Sequence, residues 1–126
     1  MMTIARRAWL AVGGGVVIQL LVTSVPGRDV PISVGHPVDW FIHAGMYGGL
    51  SFLILRAVTL SGWSRRHLVW WGLALSAYGA LDEVHQLLIP GRDASVSDWA
   101  FDTAGVVAGL LIGSWLMGSK VAKWLR

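Results

Sequence analysis

The sequence predicts an all-α polytopic membrane protein, a bundle of four transmembrane helices with both termini cytoplasmic. Three observations predict it. The chain has 126 residues, of which 55% are hydrophobic and only 13% charged, about half the charge of a soluble domain. Its apolar residues fall into four runs joined by short loops. Its basic residues gather at one set of run ends. Hydropathy spread over the whole length fits an integral membrane protein with no separate soluble domain, so residues 1–126 form a single unit.

The first run, Ala8–Val25, follows Arg6 and Arg7. It has the outline of a signal peptide, but VPGRDVP after it lacks a small-x-small cleavage site. It reads as an uncleaved first helix, spanning about 8–25. The second span covers 40–60, with Arg56 able to snorkel to the headgroups. The third covers 68–89 and the fourth 97–117. The loops Pro26–Asp39, Ser61–His67 and Pro90–Ser97 are short, which favours sequential neighbours in an up-down bundle.

Charge sets the orientation. Arg6, Arg7, Arg65, Arg66, Lys120, Lys123 and Arg126 lie on one side, and Arg28 and Arg92 on the other. The richer side is the cytoplasmic one. Tryptophans agree, with Trp9, Trp63, Trp70, Trp115 and Trp124 near the inner interface and Trp40 and Trp99 near the outer one. The net charge of +3 is therefore a topology signal, not a nucleic-acid footprint. His36 and His67 are loop residues. With no cysteine, disulfides, thiolate metal sites and cysteine nucleophiles are excluded.

Five of the seven carboxylates fall between Leu81 and Asp102, and length arithmetic draws them into the membrane. Leu68–Leu81 supplies 14 residues, about 21 Å of helix, against a hydrocarbon core of about 30 Å. Span three must continue toward Ile89 and carry Asp82, Glu83, His85 and Gln86. Thr103–Met117 has only 15 residues, so span four must include Asp102, Trp99 and Asp98. Span two holds His43 one turn from its start. Polar groups facing lipid are costly, so these should turn inward at a common depth near the outer surface.

Helical phase favours convergence. Asp39, His43 and Tyr47 share one stripe, and Tyr78, Asp82 and Gln86 a second, with His85 beside it. Asp98 and Asp102 form a third, continuing into Gly105, Gly109 and Gly113, a small-xxx-small face for close helix approach. Gly45 and Gly49 offer another. Glu83 lies about 100° around its helix from Asp82, so the two acids point to different places. Pro90 and Gly91 stop span three. Ser95-Val96-Ser97-Asp98 reads as a capping box. Arg92, between the acidic clusters, suits a carboxylate or a phosphate.

Together these residues resemble the VanZ-like family of small bacterial membrane proteins. The matching pattern is Asp39/His43/Tyr47, then Asp82/Glu83/Gln86/Pro90/Arg92, then Ser95/Asp98/Asp102/Gly105, over residues 39–113. Two positions depart from the family's habit, Trp40 where Lys is common and Asp102 where Asn is usual, which makes the site more negative. The resemblance implies a cell-envelope role, since the founding member is associated with resistance to the glycopeptide antibiotic teicoplanin. It implies no settled biochemical activity.

The leading functional expectation is an outward-facing pocket of Asp39, His43, Tyr47, Asp82, Glu83, Gln86, Arg92, Asp98 and Asp102. It would take an envelope lipid, glycolipid or glycopeptide-type ligand and need no organic cofactor. The rival is an intramembrane enzyme acting on a lipid-linked substrate, with His43 as base or nucleophile. A metal-dependent version would use His43, Glu83, Asp98 and Asp102 around a divalent ion. No His-Glu-x-x-His or similar signature supports it. Ion transport would need a continuous polar path, and the inner halves of spans two and three offer little besides Arg56. A structural accessory subunit, forming homo- or hetero-oligomers through its glycine faces, is the remaining reading.

Overall fold

Four α-helices run in sequence through the described residues: α1 (Ile4–Thr23), α2 (Val38–Leu60), α3 (Arg66–Gln86) and α4 (Val96–Lys120). This computed structural model describes residues 2–30 and 37–120, the last two by backbone alone. His36, Lys123, Trp124, Arg126 and the greater part of 31–37 therefore lie outside the described residues, as does the Lys120 side chain.

The helix ends follow local chemistry. Thr3 caps α1, its Oγ1 accepting the Arg6 N–H at 3.2 Å. Helix α2 closes in a Schellman motif. Trp63 N–H donates to Val58 O and Gly62 N–H to Thr59 O, while Gly62 takes φ +68°. Beyond α3, the chain reverses at Ile89-Pro90-Gly91-Arg92. Proline stands second, Gly91 third with φ +75°, and Arg92 N–H donates to Ile89 O at 3.1 Å, the residue pattern of a type II turn. Ser95 starts α4, its Oγ accepting the Asp98 N–H at 3.3 Å. The capping half of the expected box is thus formed by Ser95.

Three helices, α1, α2 and α4, are long and apolar enough to cross a membrane. Helix α3 has 21 residues, about 31 Å, and carries Asp82, Glu83 and His85 in its last turns. Helix α2 is the centre of the bundle and packs against all three others. Its Leu50, Ile54, Ala57 and Val58 meet Val12, Leu75 and Val106 in the core. Large apolar side chains cover the outside, among them Leu10, Ile18 and Leu21 of α1, Val69 and Leu73 of α3, and Leu111 and Ile112 of α4. A bundle with an apolar exterior and its polar groups turned inward suits lipid as solvent.

The closest approach is between α2 and α4. A methyl on Gly105 would overlap the Ala44 backbone, and one on Gly109 would overlap Ser51 Oγ and the Gly48 carbonyl. One on Gly113 would come to 2.6 Å from Leu55 Cδ2. The α4 glycine ladder is therefore consumed inside the chain, against α2. The second small-residue stripe, Gly45 and Gly49, is not the one that meets α4. The glycine of α2 in this contact is Gly48, while a methyl at Gly45 or Gly49 meets nothing within 4 Å. Gly45 and Gly49 instead line a groove beside α1 with Gly15 and Gln19. A small-xxx-small spacing identifies a stripe but not the rotation that presents it.

At the end of the bundle away from the acids, Trp9 stacks obliquely near Trp63 and Trp71, each at 5.2 Å between ring centroids. Its Nε1–H donates to Ser61 Oγ at 3.0 Å.

Candidate functional site: a polar recess at one end of the bundle

The close α2–α4 contact brings two i,i+4 pairs face to face. Asp39 and His43 lie one turn apart at the start of α2, and Asp98 and Asp102 one turn apart at the start of α4. The link between the pairs is direct: His43 Nδ1–H donates to Asp102 Oδ1 at 2.9 Å. Asp102 is 0% exposed and His43 7%. Such a bond fixes both the tautomer and the plane of the imidazole.

Around these pairs lies a recess of about 260 Å³, lined by Asp39, His43, Gln86, Gly91, Arg92, Asp93, Ser95 and Asp98. The turn at Pro90-Gly91 folds Arg92 back over the end of α3. There the guanidinium donates Nε–H and Nη2–H to Gln86 Oε1, at 3.1 and 2.8 Å. Among the described residues Arg92 makes no ion pair, so its charge is left to the recess.

Glu83 braces the loop from within. Its Oε2 accepts the Ser95 N–H at 2.7 Å, and its Oε1 accepts Gln86 Nε2–H at 3.3 Å. Ser95 thereby ties the start of α4 to the end of α3. Trp99 adds a second tie, its Nε1–H donating to Ser76 O at 2.9 Å, and Ser76 and Thr103 a third at 2.8 Å between hydroxyls.

The predicted residues therefore divide. Asp39, His43, Gln86, Arg92 and Asp98 line the recess. Asp102 and Glu83 lie behind it as supports. Asp82 points elsewhere: its Oδ1 accepts from Thr23 Oγ1 of α1 at 2.8 Å, so it does not line the recess. Tyr47 is buried more deeply, 1% exposed, with its ring 6.1 Å from that of Tyr78. The expected divergence of Asp82 and Glu83 is what the helix shows.

Residues of α1 were missed by sequence reasoning. Thr23 bonds Asp82, and Ser24 Oγ lies 3.1 Å from His85 Nε2. Gln19 and Thr23 are both 3% exposed. Their signal was an i,i+4 polar pair within an otherwise apolar run. The α1 end is also tied to the loop after α3. Gly27 N–H donates to Pro90 O at 3.0 Å, and a side chain on Gly27 would overlap the Gly91 carbonyl.

Two sets of side chains bring possible metal-ligand atoms within 4.8 Å of one another: Asp39, His43 and Asp98, and His43, Glu83 and Asp102. His43 belongs to both. A buried carboxylate oxygen is costly without a donor or a cation, and three such oxygens have none among the described residues: Asp82 Oδ2, Asp98 Oδ1 and Asp102 Oδ2.

No curated protein and no solved structure matches this chain. The VanZ/LLP1 family pattern matches residues 16–117, a stretch that holds every residue of the recess and of its supports. The chain belongs to the VanZ/LLP1 family.

Proposed function

We propose that this protein is a multi-pass component of the bacterial cytoplasmic membrane whose recess binds the polar head of an envelope molecule from the outer side. In this reading all four helices span, and both termini are cytoplasmic. Apolar exposure on α3, from Val69 and Leu73 to Val84, supports its placement among the spans. The distribution of Arg6, Arg7, Arg65 and Arg66 against Arg28 and Arg92 supports the orientation.

The observation that carries the proposal is the recess itself, a polar pocket at the end of an apolar bundle whose arginine makes no ion pair among the described residues. Ionisable groups at this depth are costly and tend to be kept for function. Arg92 supplies a fork suited to phosphate or carboxylate, while Asp39, Asp93, Gln86 and Ser95 supply acceptors and donors for hydroxyls. Volume narrows the ligand. Sites for drug-sized molecules measure about 300–1,000 Å³, so a recess of about 260 Å³ admits a sugar or phosphate head group rather than an entire glycopeptide. A glycolipid or lipid-linked precursor can keep its chains in the bilayer while its head enters.

The test is photocrosslinking in native membranes. A photoreactive residue at Asp93 should trap a specific lipid or glycolipid, and Arg92→Ala should abolish the adduct. Adducts that mirror bulk phospholipid, unchanged by Arg92→Ala, contradict the proposal.

A further inference from the structure

We propose that Asp39, His43 and Asp98 form a binding site for a first-row divalent cation, zinc or manganese, with Asp102 positioning the imidazole. The inference rests on the recess described above but not on what that recess takes from the envelope.

The donor set comes from the helix geometry. Asp39 and His43 project from one face of α2 because they are four residues apart, and Asp98 faces them from the first turn of α4. Ligand atoms of the three lie within 4.8 Å of one another. Donors around a tetrahedral zinc with bonds of about 2.1 Å are about 3.4 Å apart, so the set must draw together by up to about 1.4 Å when an ion binds. All three side chains line the recess, which leaves a path for the ion and for further ligands.

The imidazole is prepared for the role. Its Nδ1–H is committed to Asp102 Oδ1, so the lone pair of the other ring nitrogen is the one left to ligate. A histidine that donates one N–H to a carboxylate and offers the other nitrogen is the usual arrangement around a protein-bound metal. Asp102 thus acts through His43.

An independent observation points to a missing positive partner. Asp98 is 7% exposed, yet its Oδ1 has no hydrogen-bond donor among the described residues. Leaving such a group unpartnered costs about 1–3 kcal/mol, more when it is charged. Arg92, the cation of the recess, directs two donors to Gln86 and pairs with no carboxylate among the described residues.

In the alternative set, His43, Glu83 and Asp102, both Glu83 oxygens and one Asp102 oxygen already accept from protein donors, and only Asp102 Oδ2 is left without one among the described residues. Glu83 holds Ser95 N–H and Gln86 Nε2–H, and Asp102 holds His43. Its members other than His43 do not line the recess. One imidazole with two carboxylates favours a borderline first-row ion over calcium or magnesium, which prefer oxygen alone. Three protein ligands would leave at least one coordination position for water or a further ligand.

The full chain, purified in detergent and stripped with chelator, is incubated with zinc or manganese alone. Metal content and affinity are then measured by mass spectrometry and calorimetry. The expected result is one ion per chain, with affinity lowered at least about tenfold in Asp39→Asn and Asp98→Asn. Asp102→Asn leaves every ligand in place and should weaken binding about 10–100-fold. It should also shift the visible spectrum of the cobalt-substituted protein, a change that Asp102→Glu reverses. Asp39 is only half-buried, so Asp39→Asn tests the site even if the buried variants fold poorly. No bound ion in the wild type with either metal overturns the proposal. So does loss of the ion in Glu83→Gln with retention in Asp39→Asn. Neither outcome depends on a lipid, so the head-group reading stands or falls separately.

Discussion

His43 and Asp102 are joined by a 2.9 Å hydrogen bond across the interface of α2 and α4, with Asp102 wholly buried. The bond clamps the two helices at the depth where the recess begins. Asp102→Ala leaves a buried imidazole donor unpaired and should lower stability by about 1.5–3 kcal/mol, the range for a charge-assisted hydrogen bond. Asp102→Asn keeps an acceptor and should lose less. Denaturant unfolding in micelles measures both, and a double-mutant cycle with His43→Ala should give a coupling of at least about 0.5 kcal/mol.

The glycines of α4 and α2 should differ sharply in tolerance. Gly105→Ala drives a methyl into the Ala44 backbone, which cannot rotate away. Overpacking of this kind costs about 1–3 kcal/mol. Gly45→Ala and Gly49→Ala enter open space and should leave thermal stability within about 0.5 kcal/mol of wild type. Melting curves of the three purified variants check the contrast.

Glu83 should control the order of the loop before α4. Glu83→Ala removes the acceptor of the Ser95 N–H, a bond to a charged group worth about 1.5–3 kcal/mol. Amide exchange at Ser95 should accelerate by about 10–150-fold, as read by hydrogen–deuterium exchange, with little change in the core of α2.

Thr23 should matter more than an average interhelical hydroxyl. Transmembrane hydrogen bonds contribute about 0.6 kcal/mol on average. Asp82 Oδ2 already has no partner among the described residues, so Thr23→Val deprives its other oxygen as well. The expected loss is about 1–3 kcal/mol, with Thr23→Ser close to wild type in the same unfolding assay.

Much of this arrangement was legible in the sequence because membrane thickness is a ruler. The apolar runs are too short without Asp82, Asp98 and Asp102, and the structure places all three inside helices. The i,i+4 spacing of Asp39 and His43, and of Asp98 and Asp102, identified the facing pairs. The rotation of one helix against another was not legible. Asp82 turns toward α1 because Thr23 is there to meet it, and nothing in the sequence of α3 records where α1 lies. For the same reason Gly48, rather than Gly45 or Gly49, meets the α4 ladder. Arg92 reaches Gln86 through a turn whose residues, Pro90 and Gly91, announced a stop but not its direction.

The central claim is that Asp39 and Asp98 meet in one recess open to the outside of the cell. The chain has no cysteine, so Asp39→Cys with Asp98→Cys can be tested cleanly in intact cells. A short, membrane-impermeant bifunctional thiol reagent should link the two cysteines within one chain, protecting the α2–α4 pair from separation after cleavage of the loop between α2 and α3. Failure to form the link in intact cells, with efficient linking only after permeabilisation or none at all, would contradict the account.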